Sequence, residues 1–272
     1  MGHVEIISSK QNDFFKKIKS YRLAKYRKQD NIVLVEGQKV YDEALSRLKP
    51  IFTVISESYL DKHEDMHTIV PSNLPFEKGQ NLEGQQGREQ EHRYLAMSDS
   101  LFATLSELKT DQGILGVFEI PKFQVDLMSL SRVVILEGVQ DPTNVGAIIR
   151  NAHGLGYGAV FLGEECAHPF SPKAIRASMG SVFHIPVVSC TLFEQIQRLK
   201  DEDFVIVATD LAGDSKAAPF KKCALLIGSE GKGLSVEALS MSDEIFTIEM
   251  RNNAESLNAA VASGIAMYLF KE

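Results

Sequence analysis

Long apolar runs are missing from this sequence. The longest near-apolar stretch, Ala259–Phe270, is interrupted by Ser263 and Gly264 and falls well short of the roughly 20 residues a membrane-spanning helix needs, so no span is expected. The N-terminal residues, with Lys10, Lys16, Lys17 and Lys19 among polar neighbours, lack the apolar core and cleavage site of a secretory signal, and a cytoplasmic location is expected. Cysteine is scarce: Cys166, Cys190 and Cys223 lie far apart, which excludes a disulfide framework and a CxxC zinc site, so they are read as buried thiols and no metal is expected. What is present is ordinary globular material, 44% hydrophobic and 24% charged over 272 residues, a length that suits two domains of roughly 100–200 residues each.

The net charge of -7 hides a gradient. Residues 1–28 hold eight Lys or Arg (Lys10, Lys16, Lys17, Lys19, Arg22, Lys25, Arg27, Lys28) against Glu5 and Asp13, a local +6, so the rest of the chain carries -13. Cations interleaved with Phe14, Phe15, Tyr21 and Tyr26 can hold phosphates and offer rings to unstacked bases. The same pattern also describes a solvated amphipathic helix whose rings are its core face.

Two halves differ in pattern. In the first, strands at Val33–Glu36, Ile51–Ile55 and Ile114–Phe118 alternate with helical stretches around Val40–Leu48 and Leu101–Leu108, a small α/β unit; Pro71–Arg93, rich in Gln, Gly and Glu, reads as a loop or insertion. A linker is expected over 121–131, separating a domain at 1–120 from one at 132–272. The second half alternates apolar strands (Val133–Leu136, Val160–Leu162, Val182–Val188, Val205–Ala208, Ala224–Ile227, Glu244–Ile248) with helices near 144–155, 172–179, 191–200, 235–240 and 256–270. Strands this apolar imply a mostly parallel sheet covered on both faces, with ligands bound beyond the strands' carboxyl ends.

Three clusters sit at such ends. Strand Val133–Leu136 runs into Asp141-Pro-Thr-Asn-Val-Gly-Ala-Ile-Ile-Arg150, where Thr143 or Asn144 can cap the next helix and Gly146 and Arg150 fall on one face, aiming an arginine over a glycine-opened surface. Gly228-Ser-Glu-Gly-Lys-Gly-Leu234 lacks the Walker spacing and offers instead a backbone free to approach a ligand, with Glu230 in the same turn. Gly154, Gly156 and Gly158 follow a helix and precede a strand, the reverse of a dinucleotide fingerprint, which disfavours a nucleotide-dependent oxidoreductase. Ser256 and Asn258 open a helix of small residues, a polar pocket suited to a carboxylate or purine edge.

Together these clusters resemble the three motifs of the SpoU/TrmH-type RNA ribose 2'-O-methyltransferases of the SPOUT superfamily: Asp-Pro-x-Asn-x-Gly-x-x-x-Arg at 141–150, Gly-x-Glu-Gly-x-Gly-Leu at 228–234, and Ser-Leu-Asn at 256–258. Val35-Glu-Gly37 and Gln112-Gly-Ile-Leu-Gly-Val117 are similar to that family's N-terminal substrate-binding domain, which resembles a ribosomal protein fold. Motif three departs from the family in its beginning, with Glu249 where proline is common. The resemblance implies an α/β fold with a deep trefoil knot in the C-terminal domain and a homodimer whose active site borrows residues across the interface. It implies S-adenosyl-L-methionine as cofactor, touched by backbone around Thr209, Gly228, Ile248 and Leu257. It further implies methyl transfer to a ribose 2'-hydroxyl of a structured RNA, with Asn144, Arg150, Glu230, Ser256 and Asn258 as catalytic residues. Arginine is a poor base, so Arg150 is expected to orient the hydroxyl and stabilise negative charge, with Glu230 fixing Arg150 or accepting a proton. Ribosomal RNA is expected ahead of tRNA; the other reading is a catalytically inactive RNA-binding relative.

Overall fold

The computed structural model describes residues 6–63, 94–216, 218–250 and 257–271. The chain divides into two compact units, Met1–Ile120 and Pro121–Glu272. The stretch 71–93 and Ser256 lie outside the described residues.

The first unit contains helices α1 (Asp13–Ser20), α2 (Ala24–Gln29), α3 (Gln38–Leu45), α4 (Glu57–Lys62) and α5 (Asp99–Ala103), with strands β1 (Ile32–Glu36), β2 (Pro50–Ser56), β3 (Tyr94–Met97) and β4 (Ile114–Glu119). The strands form one sheet in the order β1-β4-β2-β3, antiparallel at β1/β4 and β4/β2 and parallel at β2/β3. Asn12 caps α1 by accepting from the amides of Phe14 and Phe15, and Phe15, Ile18 and Tyr21, at spacings of one helical turn, face the sheet core with Ile32, Leu34, Phe52 and Val117. Phe15 and Tyr21 are therefore core, and Phe14 and Tyr26 pack partly buried against it, so the rings of the basic segment are structural rather than free platforms for bases.

The second unit is a six-stranded sheet in the order β10-β8-β9-β5-β6-β7, every pair parallel. Its strands are β5 (Arg132–Leu136), β6 (Ala159–Leu162), β7 (Val187–Ser189), β8 (Val205–Asp214), β9 (Cys223–Ile227) and β10 (Glu244–Phe246); its helices are α6 (Pro142–Gly154), α7 (Pro172–Ser178), α8 (Leu192–Asp201), α9 (Val236–Met241) and α10 (Ala259–Leu269). Val133, Ile135, Phe161, Ile206 and Leu226 point to one face and pack with Leu192, Ile196 and Leu199 of α8. On the sheet's other side α10 packs on β9 and α6, and α6 on α7. Leu127, inside the expected linker, is buried in this core.

Two local expectations are corrected. The apolar run Val182–Val188 is not one strand: Ser181–Phe183 forms a 3-10 turn after Gly180 (φ 87°), and only Val187–Ser189 pairs, with β6. Asp141, rather than Thr143 or Asn144, caps α6, its carboxylate accepting from the Thr143 amide at 2.8 Å. Pro142 then fills the first helical position, where its missing N–H costs nothing.

The chain lays β6 and β7 to one side of β5, then crosses to place β9, β8 and β10 on the other. The strand order therefore reverses between β5 and β9, and a crevice opens beyond their carboxyl ends, where ligands of parallel sheets bind.

Candidate active site

The loops that follow β5 and β9 meet at this crevice. Three positions spare it side chains: a Cβ on Gly231 would meet nothing within 4 Å, one on Gly138 only Ser229 at 3.8 Å, and one on Gly233 only the Asp210 carboxylate at 3.9 Å. Gly228 serves differently. Its Cβ would fall 2.4 Å from the Gly233 carbonyl carbon, because the turn folds back on it through paired backbone bonds between Ser229 and Gly233 (3.0 and 3.2 Å). The result is a cleft of about 320 Å³ walled by the 137–140 and 229–235 loops, with Glu137, Glu165 and Glu230 on its lining.

Asn144 is buried on the first turns of α6, and both ends of its amide are used. Its Nδ2 donates to Glu230 Oε1, and its Oδ1 accepts from Asn258 Nδ2 at 3.0 Å. Asn258 in turn caps α10, accepting with Oδ1 from the amides of Ala260 (3.0 Å) and Val261 (3.3 Å). One residue from each of the three motifs thus enters a single chain of hydrogen bonds. A buried amide with both ends satisfied has one orientation, so Asn144 fixes the Glu230 carboxylate at the cleft.

Arg150 is elsewhere. It is exposed, its side chain makes no hydrogen bond or ion pair among the described residues, and it borders a separate groove of about 800 Å³ between α6 and α10 with Ala147, Asn151, Gly154, Ile265 and Tyr268. Glu230 therefore pairs with Asn144, not Arg150. Six residues at about 100° each set Asn144 and Arg150 roughly 120° apart around α6. Gly146 does not open the surface beneath Arg150: its Cβ would lie 2.3 Å from the Ala174 carbonyl oxygen and 2.7 Å from the Ala177 Cβ, so α7 occupies that space.

Gly228 and Ile248 lie just past the ends of strands β9 and β10, Thr209 lies midway along β8, one residue beyond its last pairing with β9, and Leu257 directly precedes the α10 cap. The Thr209 hydroxyl donates to the Leu226 carbonyl (3.1 Å), which leaves backbone as that position's contribution to a ligand. Two residues were missed in the sequence. Asn151 donates to the Ala260 carbonyl (3.0 Å), tying α6 to α10, and Arg132 anchors the far end of α10. The signal for Arg132 was a lone cation abutting the fully apolar strand Val133–Leu136.

Among the described residues, no group of acidic, histidine or cysteine side chains is arranged to hold a metal, and no helix is long and apolar enough to cross a membrane. Cys223 is buried and Cys166 and Cys190 partly so; burial pushes all three thiols up, Cys190 and Cys223 to about 12.

Residues 131–268 match the SpoU rRNA Methylase family, and residues 12–116 match an MRM3-like substrate binding domain. The chain is 32% identical to the 23S rRNA (guanosine(2553)-2'-O)-methyltransferase RlmP of Bacillus subtilis (strain 168), over 96% of this chain and 97% of that one. The AdoMet-bound rRNA methyltransferase from Sinorhizobium meliloti superposes with a TM-score of 0.75 at 27% identity, covering 98% of this chain and 97% of that one. A putative RNA methyltransferase of the TrmH family from Porphyromonas gingivalis gives 0.76 at 25% identity over 98% of each chain. With its motif residues joined at the reversal point of a parallel sheet and its whole length matched by such relatives, the chain belongs to the SpoU rRNA methylase family.

Proposed function

We propose that the protein is an S-adenosyl-L-methionine-dependent methyltransferase that modifies a ribose 2'-hydroxyl of ribosomal RNA. The observation that carries this reading is the hydrogen-bonded junction of Glu230, Asn144 and Asn258 at the β5/β9 crevice. Ribosomal RNA is favoured over tRNA by the relatives matched along their full length, whose names specify rRNA. A bare RNA-binding role would not need Asn144 buried with both ends of its amide engaged.

The cofactor fits the residues present. Its two cationic centres suit a crevice lined by Glu137, Glu165 and Glu230, and the open space over Gly138, Gly231 and Gly233 lets a ligand approach backbone groups. Backbone at Thr209, Gly228, Ile248 and Leu257 would hold it. When bound, S-adenosylmethionine supplies an electrophilic methyl group on a positively charged sulfur.

The chain's part is to orient the nucleophile and handle its proton. Positioning of an attacking group can supply about 7–11 kcal/mol of a barrier. Asn144 holds the Glu230 carboxylate in place, ready to receive a proton or a hydrogen bond. Arg150 orients the hydroxyl and its phosphate through the donors of its guanidinium and stabilises developing negative charge. Ser256 adds a hydroxyl beside Asn258 in the sequence.

Two finer features belong to this reading. Arg150 lies on the α6/α10 groove, where Val261, Ile265, Tyr268 and Leu269 are exposed, between 37% and 59% accessible. A homodimer formed on this face would cover them and carry Arg150 toward the partner's crevice. A trefoil knot belongs to this reading, and the meeting of Asn258, which follows edge strand β10 in sequence, with Asn144, which follows the central strand β5, is compatible with it. Residues 1–120 would bind the RNA, as the substrate-domain match suggests.

The test is methyl transfer from tritiated S-adenosylmethionine to ribosomal RNA isolated from cells lacking the gene, with the product mapped to a single ribose. Label in tRNA alone, or on a base, overturns the assignment.

A further inference from the structure

Arg132 opens β5, at the end of the sheet opposite the crevice. It is buried, yet no carboxylate among the described residues pairs with it. Its guanidinium donates instead to backbone carbonyls: Nε to Phe270 (2.7 Å), Nη1 to Ser131 (2.9 Å) and Lys221 (3.0 Å), and Nη2 to Phe220 (2.6 Å). Phe270 is the residue that ends α10, so the cation sits at the negative pole of that helix. The Tyr157 hydroxyl donates to the Met267 carbonyl one turn earlier, at 3.1 Å. The Phe270 ring is stacked on Phe220 (6.3 Å between centroids) and meets Phe246 edge-on (5.1 Å).

The far end of α10 is therefore seated in a socket built from β5, β10 and residues 220–221. Its near end carries Asn258, whose amide meets Asn144 at 3.0 Å. Between them runs a rod of eleven residues, about 16 Å at 1.5 Å per residue. A helix of this length transmits an axial shift with little loss. A displacement of about 1 Å is enough to break a hydrogen bond at the crevice.

We infer that Arg132 is a positioning residue that sets the axial register of α10 and so holds Asn258 on Asn144. Arginine suits the task because its five donors lie in one rigid plane and its charge is permanent; lysine offers three donors on a single nitrogen. The inference rests on the proposed methyltransferase reading only for its effect on rate.

The experiment is a cycle of Arg132→Met, Asn258→Ala and the double variant in the full-length protein, with Leu199→Ala, a core deletion on the opposite face of the sheet, as the stability control. Single-turnover methyl transfer should fall up to about tenfold in Arg132→Met with the KM for RNA unchanged, but less than about threefold when Arg132→Met is added to Asn258→Ala. Equal factors in both backgrounds overturn the inference. So does an equal loss in Leu199→Ala at a matched fall in Tm. Amide exchange is the second readout and needs no activity: at a matched fall in Tm, protection over 259–264 should fall further in Arg132→Met than in Leu199→Ala, which lowers protection evenly across the unit. Unchanged protection there overturns the inference even if the wild-type protein methylates nothing, a result that would count against the functional reading instead. Should Arg132→Met fail to fold, Arg132→Lys, which strips at least one carbonyl of its donor, is expected to shift both readouts in the same direction by less.

Discussion

Asn258 gives its side-chain amide to Asn144 at 3.0 Å while its oxygen accepts the amides of Ala260 and Val261, so one residue is both a helix cap and a member of the crevice. The two jobs use opposite ends of the same group and are chemically separable.

Asn258→Asp keeps the capping oxygen and removes the donor, so thermal stability should hold while turnover falls tenfold or more, as for loss of about 1.4 kcal/mol of transition-state stabilisation. Asn258→Ala removes both and should also lower stability by about 1 kcal/mol. Thermal melts and initial rates on the two variants check this. A melt shift in the aspartate variant as large as that in the alanine variant would contradict it.

Arg150→Ala should abolish methyl transfer with cofactor affinity retained, as read by calorimetry. Because Arg150 lies on the α6/α10 groove apart from Glu230, mixing Arg150→Ala with Glu230→Gln protein should restore about a quarter of wild-type activity, since half of the dimers would be mixed and each would own one complete site. No recovery after mixing would assign Arg150 to its own protomer's crevice.

The cations of residues 1–28 divide into two groups. Lys16 pairs with Asp13 at 3.5 Å, Lys17 with Asp30 at 2.5 Å, Arg22 with the buried Glu36 at 3.0 Å, and Arg27 donates to the carbonyls of Tyr21 and Arg22. Lys10, Lys19, Lys25 and Lys28 are exposed and have no anionic partner among the described residues. Charge reversal of Lys19, Lys25 and Lys28 should weaken RNA binding and lower its salt slope by about 0.7 for each phosphate no longer neutralised, with Tm unchanged. Reversal of Lys17 and Arg22 should unfold the unit before it reports on RNA. Filter binding at several salt concentrations, with melts alongside, separates the two.

Gly146→Ala should cost about 1–3 kcal/mol, because the added methyl falls 2.3 Å from a backbone oxygen of α7 that cannot move aside. Denaturant titration measures it. A neutral result would mean that α6 and α7 part easily.

The three thiols should be inert in the folded protein. With Cys190 and Cys223 pushed up to about 12 by burial, their thiolate fraction near pH 8 is on the order of one in ten thousand. Alkylation should be slow there, quicken as pH rises toward the thiol range, and become complete in denaturant. Fast modification at neutral pH would contradict the burial.

Much of this was legible in the residues themselves. β5, β6 and β9 read directly because strands buried on both faces become unbroken apolar runs. The same signal misled at Val182–Val188, where the Gly180 backbone turns the chain into a 3-10 segment that is apolar only because it is buried. β8 was underestimated because its second half, through Asp214, is polar and pairs with β10 across a register shift at Phe246. Asn144, Glu230 and Asn258 were identifiable as chemistry-bearing residues, but their mutual bonds were not, since sequence spacing does not say which face of α6 meets the β9 turn. The division of Arg150 from Glu230 needed that fact.

A small gap on α10 limits how this protein can vary. Gly264 has no side chain where the Asn151 amide passes, and a Cβ there would come within 2.9 Å of Nδ2. Alanine there would push the Asn151 amide aside and deprive the Ala260 carbonyl of its extra donor. An apparently idle position, lacking any group that could react or bind, is thereby a point where one methyl would loosen the tie between the two helices that carry Asn144 and Asn258.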